Sequence, residues 1–192
     1  MILKGAARGL GTPLAARSGM QQAWTIGHST RPLAEFLALL EEHRIEALAD
    51  VRRFPGSRKH PQYNAPALAR SLEASGIAYA PMPELGGRRR ARPDSRNTAW
   101  RNASFRGYAD YMETAEFQLA FQSLVMAIEG RRTALMCAEA PWWRCHRALI
   151  SDALKARGVA VCHIARAGAP CAPHPYTGAA RIVAGELSYA GE

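Results

Sequence analysis

Residues 133–164 read TALMCAEAPWWRCHRALISDALKARGVAVCHI, and their pattern is the clearest indication of fold in the chain. The first and last segments, TALMCAE and VAVCHI, are short apolar runs of a length typical of buried strands. The segment between them, CHRALISDALKARG, has the length and spacing of a helix that ends at Gly158. This order predicts a βαβ unit, in which the two strands are parallel and the crossover is right-handed.

The same alternation of strands and helices runs through the earlier part of the chain. Short apolar runs predict three further strands, at residues 23–28, 45–52 and 77–83. Helical spacing predicts helices at residues 31–44, 65–76 and 105–129, the last being either one helix or two with a break near Thr114. We expect Ser29 or Thr30 to cap the first of these helices and Asn64 the second. The tail segment RIVAGELSY indicates a hairpin.

These elements define the predicted fold class as α/β. We expect a single domain over residues 23–192, with a mostly parallel five-stranded sheet flanked by helices in Rossmann-like or rhodanese-like layering. Residues 1–22 are basic but have no long apolar centre, so they do not form a secretory signal. A disordered leader is expected there, with a transit peptide as the alternative.

The composition is ordinary for a globular protein, because 48% of the 192 residues are apolar and 21% are charged. The sequence contains no apolar run of about 18 residues, so neither a transmembrane helix nor a membrane partner is expected. The four cysteines, Cys137, Cys145, Cys162 and Cys171, have no framework spacing. We therefore expect free thiols and a cytoplasmic protein.

The positive charge of the chain is concentrated in one segment. Residues 86–106 contain seven arginines and one aspartate, and so supply most of the net charge of +9. Arg88, Arg89 and the neighbouring arginines, with Trp100 and Phe105 between them, suit a nucleic-acid backbone. The segment is alternatively a lid over a small phosphorylated ligand, or a solvated loop in an arginine-rich chain.

Polar and titratable side chains follow every predicted strand. Ligands of open parallel sheets bind beyond the carboxyl ends of the strands, so these residues are candidates for one shared site. With the glycines beside them, the strand-end residues are Gly27, His28, Ser29, Asp50, Arg52, Arg53, Glu84, Gly86, Gly87, Cys137, Glu139 and His163.

Cys145 is the candidate nucleophile, because it stands at the predicted start of a helix, where the dipole lowers the pKa of a thiol. Cys137 at a strand end is the second choice, and each cysteine is alternatively a buried structural residue. Acid or base function falls to Glu139, Asp50 and His28, although Asp50 is equally suited to orienting an arginine and His28 to bracing a turn. The candidate ligand-binding residues are Arg52, Arg53, Arg88, Arg89, Tyr108, Trp142, Arg144, His146 and Arg147.

Two local alternatives remain open. Cys137, Cys145 and His146 are possible metal ligands, but their spacing is not a standard zinc pattern, and the sequence requires no cofactor. Trp142 and Trp143 either stack on a planar ligand or cover the turn between strand and helix.

Several separated motifs together resemble the domain of unknown function 488 family. They are TIGHST, ADVRRFPGSRKHPQYN, PELGGRR, FRGYADYM, LMCAEAPWWRCHRALISDAL, VCHI and HPYTGAARIV, which extend from about Trp24 to Tyr189. The family's hallmark positions correspond to Gly27, His28, Asp50, Arg52, Pro55, Glu84, Leu85, Gly86, Tyr108, Cys137, Glu139, Cys145, His146 and Arg147. The resemblance implies a site at these residues and implies no reaction.

The sequence thus favours an enzyme, a possible cysteine-dependent transferase or hydrolase that binds an anionic, phosphorylated or nucleotide-like ligand. The first alternative is a nucleic-acid-binding module that uses residues 86–106. The second is a metal or iron-sulfur protein.

Overall fold

The structure, a computed structural model, describes residues 21–191. The predicted leader over residues 1–22 lies outside the described residues except for its last two, and Gln22 begins the first strand. The strands are β1 (Gln22–Gly27), β2 (Ala47–Asp50), β3 (Ala78–Pro81), β4 (Thr133–Cys137), β5 (Ala160–Ile164), β6 (Ala172–Pro173), β7 (Arg181–Val183) and β8 (Glu186–Ser188). The helices are α1 (Leu33–Glu42), α2 (Ala65–Ala74), α3 (Ala103–Met112), α4 (Ala115–Gly130) and α5 (Arg147–Ala156).

The predicted α/β fold is confirmed. Six strands form one sheet in the order β3-β2-β4-β1-β5-β6, in which the first five are parallel and β6 is antiparallel to β5. The predicted tail hairpin is also present, as the separate pair β7 and β8. Among the described residues, no helix is both long enough and apolar enough to cross a bilayer.

The helices cover both faces of the sheet. Buried side chains of α1 and α2, such as Phe36, Leu40 and Leu72, pack with Trp24 and Ile26 of β1 on one face. Helices α3, α4 and α5 pack on the other face, against residues that include Leu135 of β4. Burial of each such side chain stabilises the fold by about 1.5–3 kcal/mol.

The central strands β1 and β4 form the switch point of the sheet. The chain leaves β1 through α1 towards β2, and it leaves β4 through α5 on the other face towards β5. In an open sheet, a crevice forms beyond the carboxyl ends of two neighbouring strands whose connections diverge in this way. The crevice here therefore lies beyond Gly27 and Cys137, which are register partners.

Several local predictions need correction. Neither Ser29 nor Thr30 caps α1; its N-cap is Pro32, and Ser29 adopts a left-handed conformation with φ 47°. Asn64 is the N-cap residue of α2, as predicted, but its side chain accepts a hydrogen bond from the Ser57 backbone N–H and makes none to the helix. The alternative with a break near Thr114 is correct, and the Thr114 hydroxyl caps α4.

The cysteine prediction is wrong for one pair. Cys162 of β5 forms a disulfide with Cys171, which precedes β6, whereas Cys137 and Cys145 are free thiols. The two-residue strand β6 is too short to produce a period in the sequence. The disulfide links Cys171, directly before β6, to Cys162 of the neighbouring strand β5.

Candidate active site

The loops after β1 and β4 are bonded to one another at the crevice. The backbone N–H of His28 donates to the Cys137 carbonyl at 3.0 Å, and that of Ser29 donates to the Ala138 carbonyl at 2.9 Å. A Cβ atom on Gly27 would lie 1.9 Å from the Glu139 carbonyl oxygen, so only glycine allows this approach. The end of β1 therefore fixes where the loop from Cys137 to Cys145 begins.

A cavity of about 440 Å³ opens beyond the strand ends. Its wall contains nine of the predicted site residues, namely Arg52, Arg53, Arg88, Tyr108, Cys137, Glu139, Arg144, Cys145 and His146. The charged wall residues are four arginines and a single carboxylate. The cavity has the size of a small-molecule site, and its charge favours an anion.

Cys145 lies on the cavity wall with only 3% of its surface exposed. Its Sγ accepts a hydrogen bond from Nε of Arg147 at 3.3 Å and lies 3.5 Å from Nδ1 of His146. Burial opposes ionisation of this thiol, but a hydrogen bond from Cys137 and the neighbouring His146 and Arg147 outweigh it and hold the pKa of Cys145 well below its usual value. These contacts therefore favour the thiolate form of Cys145.

Cys137 behaves in the opposite way. Its hydrogen bond to Cys145, together with burial, raises the pKa of Cys137. Two thiols so close cannot both ionise without repulsion, so one proton stays on the pair. These opposite shifts favour Cys145 over Cys137 as the thiol that ionises.

The ring of His146 is held by the neighbouring strand. Its Nε2 lies 2.9 Å from the Val51 carbonyl oxygen. A carbonyl only accepts hydrogen bonds, so Nε2 carries a hydrogen and Nδ1 is left to exchange a proton with Cys145. A Cβ atom on Gly87 would lie 2.8 Å from Nδ1, so glycine leaves room for this ring.

Arg147 is almost fully buried and is not part of the cavity wall. Its Nε contacts Cys145, and its Nη2 donates to the carbonyl oxygens of Glu139 and Ala140. The guanidinium therefore stabilises the thiolate and holds the loop after β4.

Asp50, Arg52 and His28 form a buried group beside the cavity. The guanidinium of Arg52 donates to both carboxylate oxygens of Asp50, at 2.8 and 2.5 Å, and Tyr79 donates to Asp50 at 2.7 Å. Asp50 is thus the structural partner that orients an arginine, one of its two predicted roles.

His28 completes this group as a neutral ring. Its Nδ1 donates to the Ser29 carbonyl oxygen at 2.9 Å, which leaves Nε2 to accept from Nη1 of Arg52 at 3.3 Å. Burial lowers the pKa of His28 to about 4. The ring stacks on Tyr63 with centroids 4.1 Å apart. Of its two predicted roles, these contacts favour bracing.

Two predicted ligand-binding residues lie away from the cavity. Arg89 places its guanidinium 3.5 Å from the centroid of the Tyr111 ring and donates to the Gly86 carbonyl oxygen. Trp142 stacks on His163 with centroids 4.3 Å apart, and so covers the turn.

The arginine-rich segment is attached to the helix that follows it. The Arg92 backbone N–H and the side chains of Ser95 and Asn97 donate to the buried Asp110 carboxylate of α3. The guanidinium of Arg106 donates to the Trp100 carbonyl oxygen. The segment therefore packs as a formed wall, which presents Arg88 to the cavity.

A buried polar chain behind Trp142 was not predicted. Thr25 Oγ1 lies 2.7 Å from His163 Nδ1, His163 Nε2 lies 2.9 Å from His174 Nδ1, and His174 Nε2 lies 3.0 Å from Asp152 Oδ1. Tyr189 donates to the same Asp152 carboxylate. The members come from distant segments, and no local sequence signal links them.

Sequence reasoning also missed part of the cavity wall. These residues are Phe54, Gly56, Asn102, Ser104 and Ala138. Phe54 directly follows Arg53, which the strand-end argument singled out, so extending that strand end by one residue finds it.

Three donor atoms in the site are close enough to contact one metal ion. The side chains of Cys137, Cys145 and His146 place their donor atoms within 4.8 Å of one another. The buried Arg147 and the four cavity arginines, however, disfavour a cation at this position. The arrangement is better matched to a thiolate that faces an anion.

Comparison with known protein families matches residues 32–154, more than half of the chain, to the family described as Domain of unknown function DUF488. The matched range includes every residue of the cavity wall. No curated protein and no solved structure matches the chain significantly. The chain therefore belongs to the DUF488 family.

Proposed function

We propose that this protein is a cysteine-dependent transferase or hydrolase in which Cys145 attacks an anionic, phosphorylated or nucleotide-like substrate. The observation that carries the proposal is the position of the Cys145 Sγ. It lies on the wall of an arginine-rich cavity, accepts a hydrogen bond from Arg147 and contacts Nδ1 of His146. A thiolate with a neighbouring base is the arrangement of nucleophilic catalysis.

The cavity groups have distinct roles in this reaction. Arg53, Arg88 and Arg144 are exposed at the mouth and neutralise the charge of the substrate, while Arg52 is held in place by Asp50. Glu139 is an exposed carboxylate on the wall, where it reaches substrate groups that exchange protons. His28 touches Arg52 and acts through it as a positioning residue.

The covalent step balances without a cofactor. The Sγ of Cys145 forms a bond to an electrophilic carbon or phosphorus, and the bond to the leaving group breaks with its electron pair on that group. The proton that Cys145 releases to Nδ1 of His146 passes to the leaving group. Water or an acceptor hydroxyl then displaces the sulfur, returns its proton to the same base and regenerates the thiolate.

Alkylation of Cys145 tests the proposal without knowledge of the substrate. The rates with neutral iodoacetamide and anionic iodoacetate are measured by peptide mass spectrometry between about pH 5.5 and 8. We expect the rate at Cys145 to fall much less over this range than that of an ordinary thiol, which slows about tenfold per pH unit below its pKa. The ratio of the iodoacetate rate to the iodoacetamide rate should be higher at Cys145 than at a free thiol. Inorganic phosphate should slow the alkylation of Cys145 by occupying the cavity.

Matched variants locate each effect. Arg144→Gln should reduce the preference for iodoacetate, and Cys145→Ser should abolish labelling at this position. A rate that rises tenfold per pH unit, or the same ratio of iodoacetate to iodoacetamide rates as for a free thiol, would overturn the proposal. Stoichiometric metal in protein purified without a histidine tag would favour the metal alternative at Cys137, Cys145 and His146 instead.

A further inference from the structure

Two aromatic rings project into solvent beside the cavity. Phe54 follows β2 and is 63% exposed, and Trp143 lies between β4 and α5 and is 60% exposed. Each ring is next in sequence to an arginine of the cavity wall, Arg53 in one loop and Arg144 in the other. Large aromatic side chains that are exposed at the edge of a site indicate a binding surface.

Both rings are supported from behind. The Arg53 guanidinium lies 5.4 Å from the centroid of the Phe54 ring, and its Nη1 donates to the Arg88 carbonyl oxygen at 3.0 Å. Trp143 meets the Trp142 ring edge to face at 5.7 Å, and Trp142 is itself stacked on His163. A ligand that stacks on such held rings loses little side-chain entropy.

The charge around the rings selects an anionic partner. Arg53, Arg88 and Arg144 are exposed on the cavity wall, where Glu139 is the one opposing carboxylate. Arginine pairs with phosphate through a planar fork, and it also stacks on bases. Aromatic faces interspersed with arginines are the combination that binds a single nucleic-acid strand.

The depth of the thiolate restricts the form of the strand. Cys145 and Cys137 are 3% and 8% exposed, so a reacting group must enter the cavity to meet them. A base inside a duplex cannot do this unless it leaves the stack, whereas an unpaired nucleotide can.

We infer that the mouth of this cavity binds a single nucleic-acid strand, with one unpaired nucleotide in the cavity and its neighbours stacked on Phe54 and Trp143. The inference rests on the proposed function, because it names the substrate class of the same site. Acidic peptides have no base faces for the two rings. A membrane surface does not account for a concave arginine-lined site.

Fluorescence anisotropy with labelled oligothymidylate and oligouridylate of about a dozen nucleotides tests the inference. We expect binding that weakens steeply with salt, and that favours either single strand over a duplex of the same length. Phe54→Ala and Trp143→Ala should each weaken binding by about fivefold or more, the lower end for loss of base stacking. The matched controls are Leu119→Ala and Met126→Ala on α4, which remove equally exposed apolar side chains outside the cavity wall and should change nothing.

The outcomes separate this inference from the proposed function. Equal binding of duplex and single strand, or equal effects of the α4 controls, would overturn the inference. So would ring-dependent binding to polyglutamate or to anionic phosphatidylserine vesicles as strong as binding to the oligonucleotides. If Cys145 alkylates as expected but no oligonucleotide binds, the inference fails and the proposed function stands. If oligonucleotides bind as expected and Cys145 behaves as an ordinary thiol, the nucleic-acid-binding surface is supported and the role of Cys145 as nucleophile is refuted.

Discussion

Nε of Arg147 lies 3.3 Å from the Sγ of Cys145, two residues earlier in the chain. The guanidinium is 1% exposed, so its attraction to the sulfur is little screened by water. This contact and the positions of Cys137 and His146 offset the burial that would otherwise keep the thiol neutral.

Replacing Arg147 by Gln should raise the pKa of Cys145. Loss of a hydrogen bond to a charged group of about 1.5–3 kcal/mol implies a rise of about one to two units in the pKa, and so in the midpoint of the alkylation profile. The pH profile of iodoacetamide labelling measures the change. Arg144→Gln, which removes an arginine without a contact to the sulfur, should leave the midpoint of that profile in place. An unchanged midpoint in Arg147→Gln would contradict the assignment.

Replacing Asp50 by Asn should destabilise the fold strongly. Asp50 and Arg52 are 1% and 7% exposed, so the change leaves a buried guanidinium without its counter-ion. The expected loss is about 3–5 kcal/mol in the free energy of unfolding, measured by urea denaturation. Tyr79→Phe is the matched control, because it removes one hydrogen bond to the same carboxylate and should cost only about 1 kcal/mol. Similar losses in the free energy of unfolding of both variants would show that the ion pair of Asp50 with Arg52 does not contribute more than one hydrogen bond.

Stability should fall as the pH falls from 6.5 towards 4. Burial lowers the pKa of His28 to about 4, and burial with the nearby His174 and Arg147 lowers that of His163 to about 3, from 6.5. The unfolded chain therefore binds more protons within this window, so the free energy of unfolding is highest above it and declines with acidification. Urea denaturation at several pH values measures the slope. His28→Gln and His163→Gln should each flatten it, and an unaltered slope in both would refute this origin.

Replacing Gly27 by Ala should disturb the site more than a typical glycine change. The added Cβ would overlap the Glu139 carbonyl oxygen, and overpacking costs about 1–3 kcal/mol. We expect slower labelling of Cys145 as well as lower stability. Gly178→Ala is the control, since a Cβ there meets nothing within 4 Å. Crystal or solution data that show an undisplaced loop in Gly27→Ala would contradict the expectation.

The periodicity of the sequence was sufficient to predict the five parallel strands, because each depends on local pattern, but it left open whether the helix breaks near Thr114. Periodicity could not predict the order of the strands in the sheet, since β1 pairs with β4 and β5 across long sequence separations. Strand β6 and the disulfide of Cys162 with Cys171 depend on tertiary approach alone.

The sequence predicted which residues lie near the candidate site, but not the direction in which their side chains point. The topological argument placed Cys145, Arg52 and Glu139 at one crevice, and all three line the cavity. It could not show that Arg147 and Trp142 turn away from the cavity, because side-chain direction at a helix start depends on the packing around it.

The loop from Cys137 to Cys145 is anchored at both ends and in its middle: His28 bonds the Cys137 carbonyl, Arg147 bonds the carbonyl of Glu139, and His146 bonds that of Val51. Its length is therefore a property of the site, separate from the identity of its exposed residues. Protein engineering that exchanges side chains such as Trp143 has considerable freedom, whereas inserting or deleting one residue here would break an anchor and move the sulfur away from its guanidinium.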